Sequence, residues 1–304
     1  MKALLLAPAV VLAASAGFLA ASCGANGDAT PAGPVPSAPA ATTETAETLP
    51  PPTTTNEEGE TVPTPGVVTY QVWFQNSDGL FVTYRTQEAT PRVGTAALEA
   101  LLAGPSAFEA QQGLSTSIPD GTQLLGLTID EGIASVDLTS EYGSGGGTLS
   151  MQSRLAQVVF TLTQFPTVGG VVFSLDGKPI DVLGGEGIII DHPLSRRDFA
   201  DLLPPILVVS PTFEENVSSP VVVRGSANVF EANVLVKILD ESGVTLAETF
   251  TTATCGTGCR GTYRVAVPFT VDREQIGTIV VHDDDAAGVG RPPHEVRIPV
   301  RLLP

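Results

Sequence analysis

A helix, a tight turn and a strand follow one another in residues 154–180, and they constrain the fold more than any other stretch. Apolar side chains recur every three or four residues over the first half, which is the period of an amphipathic helix. They are Met151, Leu155, Val158, Val159, Leu162 and Phe165. Pro166 ends the helix, because the residue before a proline disfavours helical backbone. Residues 170–175 then predict a buried strand closed by the turn Asp176-Gly177, and the whole stretch predicts the packing centre of a domain.

The opposite face of this helix carries Arg154, Gln157, Thr161 and Gln164, which are polar but mostly uncharged. Solvated helix faces favour Lys and Glu, which form i,i+4 pairs. Amides and hydroxyls are cheaper to desolvate than charges, and they can hydrogen-bond across an interface. We therefore predict that these four residues contact another protein or another copy of the domain. The alternative is that they pack inside the domain, against the first helix or the strand at 80–86.

Residues 67–200 predict an α+β domain. Alternating strands at 68–74 and 80–86 flank a turn, a helix covers 95–102, and a hairpin covers 126–129 and 133–138. Strands and helices are mixed without strict βαβ alternation, which favours a mixed sheet.

Residues 205–304 predict an all-β domain, because no helical pattern occurs after residue 206. Short runs rich in Val, Ile and Thr alternate with turns containing Gly, Pro and Asp. These runs are 206–210, 220–227, 232–240, 245–252, 261–267, 277–282 and 294–302. Their number and spacing predict an immunoglobulin-like β-sandwich.

The chain begins with Lys2, an apolar run and mostly small residues up to Cys23. An apolar run this short, followed by small residues, indicates an export signal rather than a spanning helix. Residues 20–23 resemble a lipobox, in which the cysteine is lipidated, so residues 1–23 predict a lipoprotein signal peptide. A diacylglycerol would then anchor the protein to the bacterial cell membrane, on its extracytoplasmic side. An ordinary signal peptide with an incidental cysteine is the alternative.

Residues 24–66 are rich in Pro, Thr, Ala and Glu and contain no basic residue. Such a segment buries too little surface to offset chain entropy, so we predict a disordered tether. As a flexible coil it would average about 35 Å from end to end. That reach suits a domain held off a membrane.

The acidic composition excludes one class of partner. The chain has 33 acidic and 15 basic residues, a net charge of −18, whereas nucleic acid binding needs clustered cations. We therefore predict no nucleic acid partner.

Cys255 and Cys259 lie between two predicted strands. In an exported protein this pair predicts a disulfide at a hairpin tip. Metal binding is the alternative, although a CxxxC without further ligands is a poor zinc site.

Catalytic motifs are not found in the sequence. It contains no GxSxG, HExxH, phosphate loop or CxxC, and its only histidines are His192, His282 and His294. A paired-carboxylate hydrolase stays open. We predict no catalysis, no cofactor and no metal site. The acidic run 282–285, with 294–295 beyond it, offers oxygen atoms to calcium, but a solvated loop is the favoured interpretation.

Several blocks in the first domain carry a family resemblance. They are residues 101–105 (LLAGP), 117–122 (SIPDGT), 134–139 (ASVDLT), 154–166 (RLAQVVFTLTQFP) and 173–177 (FSLDG). In order and spacing they resemble the GerMN domain of sporulation and germination proteins. Residues 206–211, 220–225 and 298–302 resemble the immunoglobulin-like Gmad2 module.

The resemblance implies a ring-building type of fold for the first domain and no catalytic residues. We therefore predict a non-enzymatic envelope lipoprotein that binds or scaffolds envelope components, with another envelope protein or a second copy as partner. The alternative is a module that binds cell-wall glycan and supports a wall hydrolase. Exposed aromatic platforms would favour glycan binding, and the sole tryptophan, Trp73, lies on a predicted strand.

Overall fold

The computed structural model describes residues 53–55, 61–63, 66–185, 187–284, 290 and 292–304. The predicted signal peptide, Cys23 and most of the predicted tether lie outside the described residues. Within the tether, strands β1 (Thr53–Thr55) and β2 (Thr61–Pro63) pair antiparallel. The disordered tether over residues 24–66 stays a prediction.

The first domain combines three helices with a hairpin and a mixed sheet. Its strands are β3 (Val67–Asn76), β4 (Gly79–Glu88), β5 (Leu124–Asp130), β6 (Ile133–Leu138), β7 (Gly170–Leu175), β8 (Lys178–Pro179), β9 (Val182–Leu183) and β10 (Ile188–Ile189). Its helices are α1 (Val93–Leu102), α2 (Ala107–Gln111) and α3 (Thr148–Leu162). Short 3₁₀ segments cover Ser140–Gly143 and Arg196–Leu202.

Helix α3 is the centre of this domain. It connects β6 to β7, which pair in parallel within the sheet β5-β6-β7-β8, and it contacts α1, β3 and β7. Strands β3 and β4 form a separate hairpin in which Val67 lies opposite Glu88. Leu155, Val158, Val159 and Leu162 are fully buried, so the predicted apolar face of the helix does face the core.

The last domain is a two-sheet sandwich. Its strands are β11 (Ile206–Ser210), β12 (Asn216–Val217), β13 (Val221–Ala227), β14 (Asn233–Leu239), β15 (Thr245–Thr252), β16 (Gly261–Val267), β17 (Gln275–His282) and β18 (Glu295–Leu302). A 3₁₀ turn covers Phe230–Ala232. One sheet has the order β11-β13-β16 and the other β12-β18-β17-β14-β15. The prediction of an α+β domain followed by an immunoglobulin-like sandwich is confirmed.

Candidate binding site

The predicted contact face of α3 lies inside the domain. Arg154 is 2% exposed, Gln157 and Thr161 are fully buried, and Gln164 is half-buried. All four hydrogen-bond to neighbouring segments of the same domain. These side chains are therefore not available to contact another protein. They pack within the domain, as the alternative has it, but their hydrogen bonds run to β3 and to loop segments rather than to the first helix or the strand at 80–86.

This polar row satisfies the free edge of β3. Within the described residues β3 pairs with β4 along one edge, whereas its other edge faces α3 except at Gln75, which bridges to Ser115. The amide of Gln71 donates to Gln164 Oε1 (2.6 Å), and Gln164 Nε2 donates to the Gln71 carbonyl (2.7 Å). The amide of Trp73 donates to Thr161 Oγ1 (3.2 Å), and Gln157 Nε2 donates to the Trp73 carbonyl (3.1 Å). Side chains of a helix thus replace a neighbouring strand, because buried backbone groups need partners.

Arg154 holds the loop before α3 in place through hydrogen bonds. Its guanidinium donates to the carbonyls of Tyr142 (2.5 Å), Ser144 (2.9 Å) and Gly145 (3.0 Å). Burial lowers the pKa of Arg154, and the carbonyl dipoles stabilise its charge. A sequence signal for this arrangement exists, because Arg154 is the only charged residue between positions 148 and 162. A helix this poor in charge is buried on most sides.

The cysteine pair and the acidic loop have structural roles. Cys255 and Cys259 are joined by a disulfide between β15 and β16. Asp283 is 2% exposed, and its carboxylate accepts from the amide of His294 (2.7 Å). Over the described residues no group of three His, Cys, Asp or Glu side chains could hold a metal ion, and Asp285 lies outside them.

His192 lies in an exposed polar cluster. Its Nδ1 is 2.7 Å from Asp191 Oδ1, and its Nε2 is 3.1 Å from Asp198 Oδ1. Hydrogen bonds to Asp191 and then Asp198 raise the pKa of His192. The nearby Ser195 hydroxyl donates to Asp198 (2.9 Å) rather than to His192. The cluster therefore lacks the serine–histidine hydrogen bond on which nucleophilic hydrolysis depends.

Aromatic side chains join the two folded domains. Phe81 of β4 stacks on Phe213, with 5.0 Å between ring centroids, and Phe108 meets Phe213 edge-on at 6.1 Å. The Tyr84 hydroxyl donates to the Val209 carbonyl (2.8 Å). Each aromatic pair of this geometry contributes about 0.5–1.5 kcal/mol beyond its burial. The junction is therefore a packed contact.

A cleft of about 680 Å³ lies beside this junction. Gln71 and Tyr84 of the first domain line it, and Arg224, Thr262 and Arg264 line it from the three-stranded sheet of the last domain. No carboxylate side chain is among its lining residues, although acidic residues outnumber basic ones in the chain. The cleft therefore combines hydrogen-bond donors with positive charge.

A second cavity, of about 740 Å³, lies at the start of α3 in the first domain. The positive end of a helix dipole favours an anion. Asp78 and Asp201 also line this cavity, and their charges oppose one. The lining of this cavity therefore favours no single class of ligand. The lining of the cleft at the junction, in contrast, favours an anion.

Sequence reasoning missed the residues of the cleft. Arg224 and Arg264 occupy outward positions of predicted strands, which alternation alone reveals. Their proximity depends on the pairing of β13 with β16, and Tyr84 comes from another domain. A single sequence contains no signal for either arrangement.

The two folded domains, an α+β domain and an immunoglobulin-like sandwich, each match a known domain family. Residues 56–181 match the family "Sporulation and spore germination" (Germane), and residues 205–289 match "Immunoglobulin-like domain of bacterial spore germination" (Gmad2). The chain carries a GerMN-type domain followed by a Gmad2 domain, so the predicted resemblance is confirmed.

Solved structures with similarity to the chain include sporulation proteins. The first GerMN domain of GerM from Bacillus subtilis is 24% identical, with a TM-score of 0.37, over 43% of this chain and 99% of that one. The tandem GerMN domains of the same protein are 17% identical, with a TM-score of 0.39, over 66% of this chain and 62% of that one. A candidate lipoprotein from Clostridium perfringens is 23% identical, with a TM-score of 0.33, over 45% of this chain and 93% of that one.

No curated protein sequence matched the chain. Helices long and apolar enough to cross a membrane are absent from the described part of the chain.

Proposed function

We propose that this protein is a non-enzymatic, lipid-anchored protein of the bacterial cell envelope that binds an envelope component where its two domains meet. The observation that carries the proposal is the cleft beside the packed junction. Ligand sites occur preferentially at domain interfaces, because two surfaces there can converge on one ligand. The match to two germination-associated domain families supports a role in the envelope.

The geometry of the cleft favours binding over catalysis. Its polar lining groups are those of arginines, threonines, tyrosines and one glutamine, and the described lining includes no carboxylate or histidine to act as a general base near neutral pH. The Ser195 and His192 cluster lies in another part of the chain and lacks the required hydrogen bond. An envelope protein, a second copy of this chain or a polymer of the envelope could each occupy the cleft.

Glycan binding through the tryptophan receives no support. Trp73 is 2% exposed, and its ring is covered by Phe160 at 4.7 Å and by the Arg196 guanidinium at 5.4 Å. A sugar platform needs an accessible aromatic face.

Replacing Cys23 with serine tests the anchor. We expect wild-type protein in the membrane fraction and the Cys23→Ser variant as an uncleaved precursor or a released protein, since the thiol that carries the lipid is gone. Cell fractionation with immunoblotting measures this. The matched control, Cys255→Ser with Cys259→Ser, removes cysteines elsewhere and should stay in the membrane fraction. Full processing and membrane retention of Cys23→Ser would contradict the anchor.

A further inference from the structure

Two arginines lie side by side on the wall of the cleft. Arg224 of β13 is the register partner of Arg264 of β16, and both side chains are exposed. Their neighbours Val223 and Tyr263 are buried, so both guanidiniums project from the outer face of the sheet. Like charges directly opposite each other on neighbouring strands destabilise a sheet. The pair therefore costs stability unless something compensates its charge.

Nothing among the described residues provides that compensation. Arg85, Arg273 and Arg301 form ion pairs with Glu109, Glu241 and Glu274. No ion pair or hydrogen bond to Arg224 or Arg264 occurs within the described part of the chain. The chain has 33 acidic residues, so a shortage of carboxylates does not explain this.

Other groups that line the cleft can also donate hydrogen bonds to an anion. Thr251, Thr252 and Thr262 line the same cleft as the two arginines. The charge of Arg224 also acts on Tyr84. Burial raises the pKa of Tyr84, a hydrogen bond with Gln71 and the charge of Arg224 lower it in part, and the charge of Glu215, which is not in the cleft lining, raises it. The cleft thus offers two charges and several hydroxyl donors to one ligand.

We infer that Arg224 and Arg264 together bind a phosphate group of the ligand. A phosphate monoester carries a charge of about −1.5 to −2, which matches two guanidiniums, whereas a carboxylate carries only one charge. Phosphate oxygens accept bidentate hydrogen bonds from arginine and leave further lone pairs for hydroxyls. The inference rests on the cleft of the proposed function but not on the lipid anchor, so it can fail or succeed independently of Cys23.

Calorimetric titration of the full chain in detergent with sodium phosphate, at low ionic strength, tests the inference. We expect saturable binding that weakens at least tenfold in Arg224→Gln with Arg264→Gln. Arg92→Gln with Arg197→Gln is the matched control, because both arginines are exposed and lie outside the cleft, and the same two charges are lost. Glycerol 3-phosphate and dimethyl phosphate, titrated in parallel, distinguish a monoester source from a phosphodiester polymer.

Thermal melting separates binding from a structural role. Phosphate should raise the melting temperature of the wild-type protein and not that of the double variant. Without phosphate the double variant should melt no lower than wild type, because removing the two arginine charges relieves their mutual repulsion. Equal phosphate binding by all three proteins would overturn the inference. If succinate bound more tightly than phosphate, the inference would be overturned in favour of an acidic partner. If the double variant melted at a lower temperature and phosphate did not shift the melting of the wild-type protein, the two arginines would have a purely structural role.

Discussion

Replacing Gln157 with leucine is expected to lower the free energy of unfolding of the first domain by about 1–3 kcal/mol or more, because one buried and one half-buried backbone group lose their partner, and a buried group left unpaired costs about 1–3 kcal/mol. These groups are the Trp73 carbonyl and the Ser117 amide, which is 2.9 Å from Gln157 Oε1. Leucine has a similar volume but neither donates nor accepts. Urea unfolding followed by the fluorescence of Trp73, the only tryptophan of the chain, measures the loss in this domain.

Gln111→Leu supplies the matched control. Gln111 is exposed at the end of α2, so the same chemical change there should leave the urea midpoint within experimental error. If Gln157→Leu and Gln111→Leu unfolded at the same urea concentration, the row of side chains along β3 would not stabilise the domain.

Replacing Gly225 with alanine is expected to destabilise the last domain by about 1–3 kcal/mol or more, the usual cost of forcing extra atoms into a packed interior. A Cβ at Gly225 would overlap the carbonyl oxygen of Leu207 on the adjacent strand and would lie 2.6 Å from the Tyr263 hydroxyl. That hydroxyl donates to the same carbonyl (3.0 Å). The substitution should therefore push β11 away from β13 and break this hydrogen bond.

Differential scanning calorimetry measures the effect on the last domain. Gly126→Ala is the control, since Gly126 also lies in a strand but its added Cβ would make only an ordinary contact, 3.9 Å from Asp137 Cβ. An unchanged transition for Gly225→Ala would mean that β11 and β13 are not as close as the structure places them.

The periodicity of the sequence predicted the helices and strands well, but it did not predict which segments pack against them. Burial alternates regularly along β14, and the predicted bounds of seven strands of the last domain lie within two residues of those in the structure. The two-residue strand β12 was too short to show a pattern and was not predicted. For α3, periodicity identified which residues share a face but not what covers that face. The free edge of β3 decides this, and Gln71 lies 93 positions from its partner Gln164.

Helix α2 shows a signal that was present and missed. Ser106 accepts from the amide of Glu109 (3.2 Å), and the Glu109 carboxylate accepts from the amide of Ser106 (2.7 Å). This capping box appears in the sequence as a serine followed three residues later by glutamate. The helix is only five residues long, so no apolar period accompanied the signal. Arg224 and Arg264, in contrast, become neighbours only through strand pairing.

Photocrosslinking in intact cells tests most directly whether the cleft is where this protein meets its envelope partner. A photoreactive amino acid at Thr252, inside the cleft, should form adducts with an envelope component, and the Arg224→Gln with Arg264→Gln background should greatly reduce them. The same amino acid at Val244, which is 60% exposed and lies just before the start of β15, should give none of these adducts. Identical adducts from both positions, or none from Thr252, would contradict the account.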